Sequence, residues 1–165
     1  MPYQIMYSSQ ATKPMTITGL EEILEDARTG NQARNVTGVL VYVDGVFFQI
    51  IEGDKDIVRK LMANIASDSR HRSVKVFYEA EVDVQAFESW SMAYLSATAE
   101  EMSIWLGLPA TATVEELLTS VNRDPHRVPR TLTGVLKALA PKRNARYSLR
   151  EVRFPHLREI HDPSV

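Results

Sequence analysis

The sequence predicts an α+β fold in which one antiparallel sheet carries two helices on one face and short C-terminal helices on the other. Three observations support this. Residues 35–54, NVTGVLVYVDGVFFQIIEGD, read as a hairpin that is apolar on both faces, so both faces need cover. An amphipathic helical stretch lies on either side of the hairpin, and an alternating, strand-like stretch lies beyond each helix. The resulting order, β-α-β-β-α-β, is the ferredoxin-like split βαβ arrangement.

Residues 3–9 alternate, with Tyr3, Ile5 and Tyr7 on one face and Gln4, Met6 and Ser8 on the other. Thr18 and Glu21 offer a capping box for the first helix, whose stripe is Leu20, Ile23, Leu24 and Ala27. Gly30 and Asn31 are stop residues, which places Asn31 just past the helix end.

In the hairpin, Asp44-Gly45 favours the positive φ of a two-residue turn. That turn pairs Val43 with Val46, Tyr42 with Phe47, Leu40 with Gln49 and Gly38 with Ile51. Asp54 caps a second helix with Ile57, Val58, Leu61 and Ile65 buried and Asn64 beside them. Residues 74–82 form a fourth strand, and a short apolar piece ending near Leu95 supplies an extra one.

Residues 100–108, 114–121 and 132–139 then read as short helices punctuated by Pro109, Pro125, Pro129 and Pro141. At least one is expected to lie across the second sheet face. The chain thus divides into a first unit at 1–95, a helical extension at 96–140 that packs on the sheet or on another subunit, and a basic tail at 141–165. From Lys137 onward there are seven Lys/Arg against three Asp/Glu, so this end carries +4 and the remainder −6. A solvated tail is the ordinary meaning of such a run.

The 165 residues, 44% hydrophobic and 24% charged, suit one domain with a real core. A net charge of −2 gives no reason to expect nucleic acid as a partner. The absence of cysteine excludes disulfides, thiolate catalysis and cysteine metal sites, and suits a reducing compartment. The N-terminus lacks the charged and apolar regions of a signal peptide, and the apolar run at 39–43 is too short for a bilayer. The expectation is a cytoplasmic protein with no membrane partner.

Gln49 is the anomaly in this pattern. An amide inside FFQII has two donors and two acceptor lone pairs to satisfy in an apolar core. The bland account is a bond to a neighbouring group; the alternative is that Gly38, one pair along, leaves room beside it for a flat ligand. The cleft between the helices is then walled by Ile23, Leu24, Ala27 and Ile65 and floored by Tyr7 and Gln49. Asn31, Asn64, Arg70 and His71 stand at its ends. A narrow apolar slot with amides at its edge and cations at its mouth suits a planar heterocycle with an anionic tail. No histidine has hydrolase or metal spacing, and His126, His156 and His161 are expected at the surface.

These residues carry a resemblance. Tyr7-Ser8-Ser9, Asn31, Asn35-Val36-Thr37-Gly38-Val39-Leu40, Phe47-Phe48-Gln49-Ile50-Ile51-Glu52-Gly53, Asp68-Ser69-Arg70-His71 and Trp90-Ser91-Met92 together resemble the BLUF family of blue-light sensors using FAD. The match spans roughly residues 1–95 in order and spacing, and Asn64 departs from the basic residue found there in many members.

The resemblance implies a non-covalent flavin, FAD with FMN or riboflavin accepted, between the two helices. It implies Tyr7 as photochemical electron and proton donor, Gln49 as the switching amide and Asn31 at the polar edge of the ring. Arg70 and His71 fall towards the ribityl and phosphate end, Asp68 is a further cofactor-binding residue of the same motif, and Trp90 and Met92 form the relay. It further implies a non-enzymatic photoreceptor, a homo-oligomer, and a separate effector: a cyclic-di-nucleotide phosphodiesterase, a response-regulator-like protein or a transcription regulator. Two rivals stand beside it. One is a small enzyme using Arg70, His71 and Asn31; the other is a binding module without a light response.

Overall fold

A computed structural model describes residues 1–139. Five strands form one sheet in the order β4-β1-β3-β2-β5. They are β1 (Tyr3–Ala11), β2 (Thr37–Val43), β3 (Val46–Gly53), β4 (His71–Glu81) and β5 (Ala93–Ser96). The first four pair antiparallel, as expected, but β5 runs parallel to β2, so the sheet is mixed rather than purely antiparallel. Parallel pairing follows from the long connection out of β4, which crosses the sheet before β5 begins.

The hairpin has the predicted register, with Leu40 opposite Gln49 and Gly38 opposite Ile51. Asp44 and Gly45 take φ of 46° and 83°, the paired positive values of a type I′ turn. Its two faces feed two cores. Val39, Val41, Phe48 and Ile50 pack against one set of helices, and Leu40, Phe47 and Ile51 against the other.

Helices α1 (Ile17–Ala33) and α2 (Lys55–Ser67) cover the Tyr7 face. The cap of α1 is Thr16, whose hydroxyl accepts from Gly19 N–H at 3.0 Å, not the Thr18–Glu21 box. Nor does α1 stop at Gly30-Asn31: it continues to Ala33, with Arg34 as C-cap and Asn35 turning the chain at φ 54°. One helical glycine costs only about 1 kcal/mol, which packing at Leu24 and Asn31 readily offsets. Asp54 caps α2 as expected, accepting from the Asp56 and Ile57 amides.

Helices α3 (Ala99–Leu106), α4 (Val114–Arg123) and α5 (Val128–Leu139) cover the other face. Leu117, Val121, Val128 and Leu132 join Val39, Val41, Phe48 and Ile50 in its core. The extension therefore packs on its own sheet. Pro129 sits in the first turn of α5 instead of preceding the helix, because proline lacks only a donor that is unpaired there anyway. His126 is exposed just before it. The tail at 141–165, with His156 and His161, lies outside the described residues.

Candidate functional site

Between α1 and α2 the Tyr7 face opens into a slot of about 190 Å³. Ile23, Ala27, Leu61 and Ile65 wall it, Tyr7, Leu40 and Gln49 floor it, and Asn31, Asn64, Asp68, Arg70 and His71 line it as the sequence predicts. Two expectations need correction. Leu24 is buried in the core beneath α1 instead of lining the slot. Gly38 offers no room for a ligand, since a Cβ there would stand 2.1 Å from the Ile50 carbonyl oxygen. Its glycine is needed for close backbone approach within the hairpin.

Register explains how the floor is built. Tyr7 and Gln49 are direct partners across β1 and β3, and the Tyr7 hydroxyl donates to Gln49 Oε1. The other end of the amide, Nε2, donates to the thioether of Met92 at 3.3 Å. A thioether is a weak acceptor, so this buried amide is satisfied on one side and only loosely on the other. Burial, and secondarily the Asp68 charge, raises the Tyr7 pKa well above its ordinary value, so the phenol keeps its proton.

Met92 is 2% exposed and belongs to the core on the slot side. Trp90 packs with Phe87 in the opposite core, ring centroids 6.4 Å apart. The structure thus separates the predicted pair: Met92 faces Gln49 and Trp90 faces away. Three successive carbonyls fix this segment. Trp90 O accepts from Gly38 N–H at 3.2 Å, Ser91 O from Asn31 Nδ2 at 2.9 Å and Met92 O from Arg28 Nε at 3.0 Å.

Arg28 was not singled out from the sequence, although Arg28 and Asn31 lie three apart on one helix face. Half-buried, its guanidinium has its pKa lowered by desolvation. Glu52 also escaped notice. This fully buried carboxylate accepts from Gln4 Nε2 at 2.7 Å and from the Ala86 and Phe87 amides at 3.0 Å each, anchoring the start of the same connection. A lone acid on the otherwise apolar face of Phe48 and Ile50 was its signal.

At the slot's mouth, Asp68 accepts from Arg70 Nη2 at 2.7 Å and from Nε at 3.0 and 3.1 Å. These bonds hold the Asp68 carboxyl below its ordinary pKa. Arg70 also reaches Asp26 at 3.3 Å. His71 shares a 2.7 Å hydrogen bond with Ser9 Oγ and packs on Phe47; burial lowers its pKa, so the ring is neutral near pH 7. Among the described residues no cluster of His, Asp or Glu could hold a metal ion, and no helix is long and apolar enough to cross a membrane.

The residues suit a flat heterocycle with a carbonyl and an N–H on one edge. Asn31 spends its Nδ2 on Ser91, leaving its amide oxygen for a donor, and Gln49 Nε2 has a second hydrogen for an acceptor. The profile of the family described as "BLUF: Sensors of blue-light using FAD" matches residues 3–93.

The chain belongs to the BLUF family.

Similar proteins agree with this. The photoactivated adenylate cyclase subunit beta of Euglena longa is 33% identical over 141 residues, 85% of this chain but 16% of that protein. BlsA in its ground state superposes with a TM-score of 0.61 at 29% identity, covering 74% of this chain and 86% of that one. Klebsiella pneumoniae BlrP1, solved with FMN and cyclic diGMP, gives 0.57 at 25% identity, covering 81% and 35%. The chain spans 10–16% of the length of the cyclase relatives it matches, so the likeness is to their BLUF segment. A BLUF chain is a flavin-binding blue-light sensor.

Proposed function

We propose that Tyr7, Gln49 and Met92 form the light switch of this sensor, that FAD is its cofactor, and that its output is altered binding to a separate effector rather than turnover of a substrate. The observation that carries the reading is the chain of hydrogen bonds from the Tyr7 hydroxyl to the Gln49 oxygen and from the Gln49 nitrogen to Met92.

A bound flavin supplies, once excited by blue light, the oxidant for a reversible electron transfer. Tyr7 gives up an electron only with its proton, because burial makes a bare phenolate or a charged radical costly. The proton leaves Tyr7 Oη by way of Gln49 Oε1, to which it is already hydrogen-bonded, and electron and proton would both rest on the flavin until they return. When electron and proton return, the amide can settle in its other orientation, with nitrogen towards Tyr7 and oxygen towards the segment of Met92. No net redox change remains, but a donor and an acceptor have traded places.

That trade is felt at Met92. Oxygen facing a thioether has no donor to offer, so the side chain loses its hold on the amide while Asn31 and Arg28 still grip the neighbouring carbonyls. The strain passes to β5, which leads directly into α3. An effector that reads the α3–α5 face would sense it. The relatives named as photoactivated adenylate cyclases, and BlrP1 with its cyclic diGMP, support a nucleotide-signalling effector. FMN in BlrP1 supports tolerance of a shorter flavin. A cytoplasmic location and self-association complete the proposal.

The test is Gln49→Leu in flavin-loaded protein. The variant should bind flavin, yet show no small red shift of the flavin band after blue light. A normal light-induced shift in that variant would overturn the switch assignment.

A further inference from the structure

The slot's mouth is poorly suited to phosphate. Arg70 is already engaged by Asp68 and Asp26, and His71 is held neutral by burial, so two carboxylates face one cation. The slot itself, about 190 Å³, is smaller than the roughly 300–1,000 Å³ of cavities that enclose a drug-sized ligand. It has room for a ring system, and the rest of a dinucleotide must lie outside.

A second cavity of about 460 Å³, shallower and more open to solvent than the slot, lies beside that mouth, lined by Gln10, Thr12, Lys13, Tyr42, Asp44 and Arg72 among others. Thr12 joins the two: its N–H donates to Arg70 O at 3.1 Å and its hydroxyl to Ser69 O at 2.9 Å. Arg70 and Arg72 are separated by at most about 7 Å of chain. Neither Lys13 nor Arg72 has an ion-pair partner among the described residues. Against them stands the single acid Asp44, so this cavity, unlike the mouth, has cationic charge to spare. Half-buried Tyr42 adds an aromatic face of the kind on which a purine stacks.

We propose that this second cavity holds an adenosine phosphate group, with Lys13 and Arg72 on the phosphates and Tyr42 against the base, and that its source is the adenosine diphosphate end of the same FAD whose ring fills the slot. The proposal rests on the flavin reading above. It assigns to Lys13 and Arg72 the phosphate contact that the family resemblance gives to Arg70 and His71. It also gives FAD a tighter grip than the shorter flavins, which still bind through the ring alone.

The test loads the full chain separately with riboflavin, FMN and FAD and measures each affinity by quenching of flavin fluorescence. FAD should bind at least about tenfold more tightly than riboflavin, with an advantage that shrinks as salt rises. Lys13→Ala combined with Arg72→Ala should erase that advantage and leave riboflavin affinity unchanged; both residues are exposed, so the variant should fold. Equal affinity for FAD and riboflavin in the unmodified chain, or an FAD advantage that survives the double substitution, would overturn the proposal. ADP added to riboflavin-loaded protein identifies the source: tight ADP binding without any FAD advantage would make the cavity a free-nucleotide site and overturn the assignment to the FAD tail. Failure of every flavin to bind would overturn the flavin reading as well, which separates the two claims.

Discussion

Tyr7 and Gln49 stand directly opposite each other across the β1–β3 ladder, and the phenol donates to the amide oxygen inside a core that excludes water. The sheet's register sets this pairing, so the Gln49 amide is held firmly on the Tyr7 side and loosely on the Met92 side, where a thioether is the acceptor.

Tyr7→Phe removes the donor and nothing else of size. Flavin binding should persist while the red-shifted state disappears. The unpaired Gln49 oxygen should cost about 1–3 kcal/mol of stability. Difference spectra and chemical denaturation check both; a normal photocycle would show that Tyr7 is not the donor.

Met92→Leu keeps volume and loses the sulfur acceptor. The light-induced shift should remain, because Tyr7 and Gln49 are intact, but the dark state loses its anchor for Gln49 Nε2. Dark recovery should slow several-fold, as followed by absorption after a light pulse. Stability should change by less than about 1.5 kcal/mol.

Gly38→Ala and Gly30→Ala should act in opposite directions. A methyl at Gly38 meets the Ile50 carbonyl at 2.1 Å, backbone that cannot move without opening the hairpin. It should cost about 3 kcal/mol or more, or prevent folding. A methyl at Gly30 meets nothing within 4 Å in the middle of a helical turn. It should stabilise by about 0.5–1 kcal/mol. Thermal melts of the two variants side by side decide.

Acid should weaken the protein in two stages. The folded-state pKa of His71 is lowered by burial, so the unfolded chain binds its proton first. Stability is therefore complete above the ordinary value of 6.5 and is lost as pH falls from there through the folded-state value. Asp68 is lowered by its bonds to Arg70, so its contribution is present above 3.8 and lost as pH falls further. Melting temperature against pH should show both slopes, and His71→Gln should remove the first.

The sequence made the hairpin legible because one turn type fixes every pair in it, and Gln49 stood out because an amide inside an apolar run demands partners. The end of α1 was misread because Gly30 and Asn31 are stop signals only when nothing else holds the helix; here Asn31 is tied to Ser91, 60 residues on. Which of Trp90 and Met92 faces the slot was not legible. They enter β5 through an irregular segment, where alternation does not yet apply, and hydrogen bonds from Gly38, Asn31 and Arg28 set the outcome. Glu52 was readable in principle, as the one charge on a buried strand face, whereas its donors at Ala86 and Phe87 are backbone groups that no side-chain pattern announces.

The visible absorption spectrum of the purified, flavin-loaded chain, taken in darkness and directly after blue light, tests the central claim most directly. The account predicts a structured flavin spectrum that moves slightly to the red on illumination and returns in the dark. A bound flavin whose spectrum does not move would contradict the switch built on Tyr7 and Gln49.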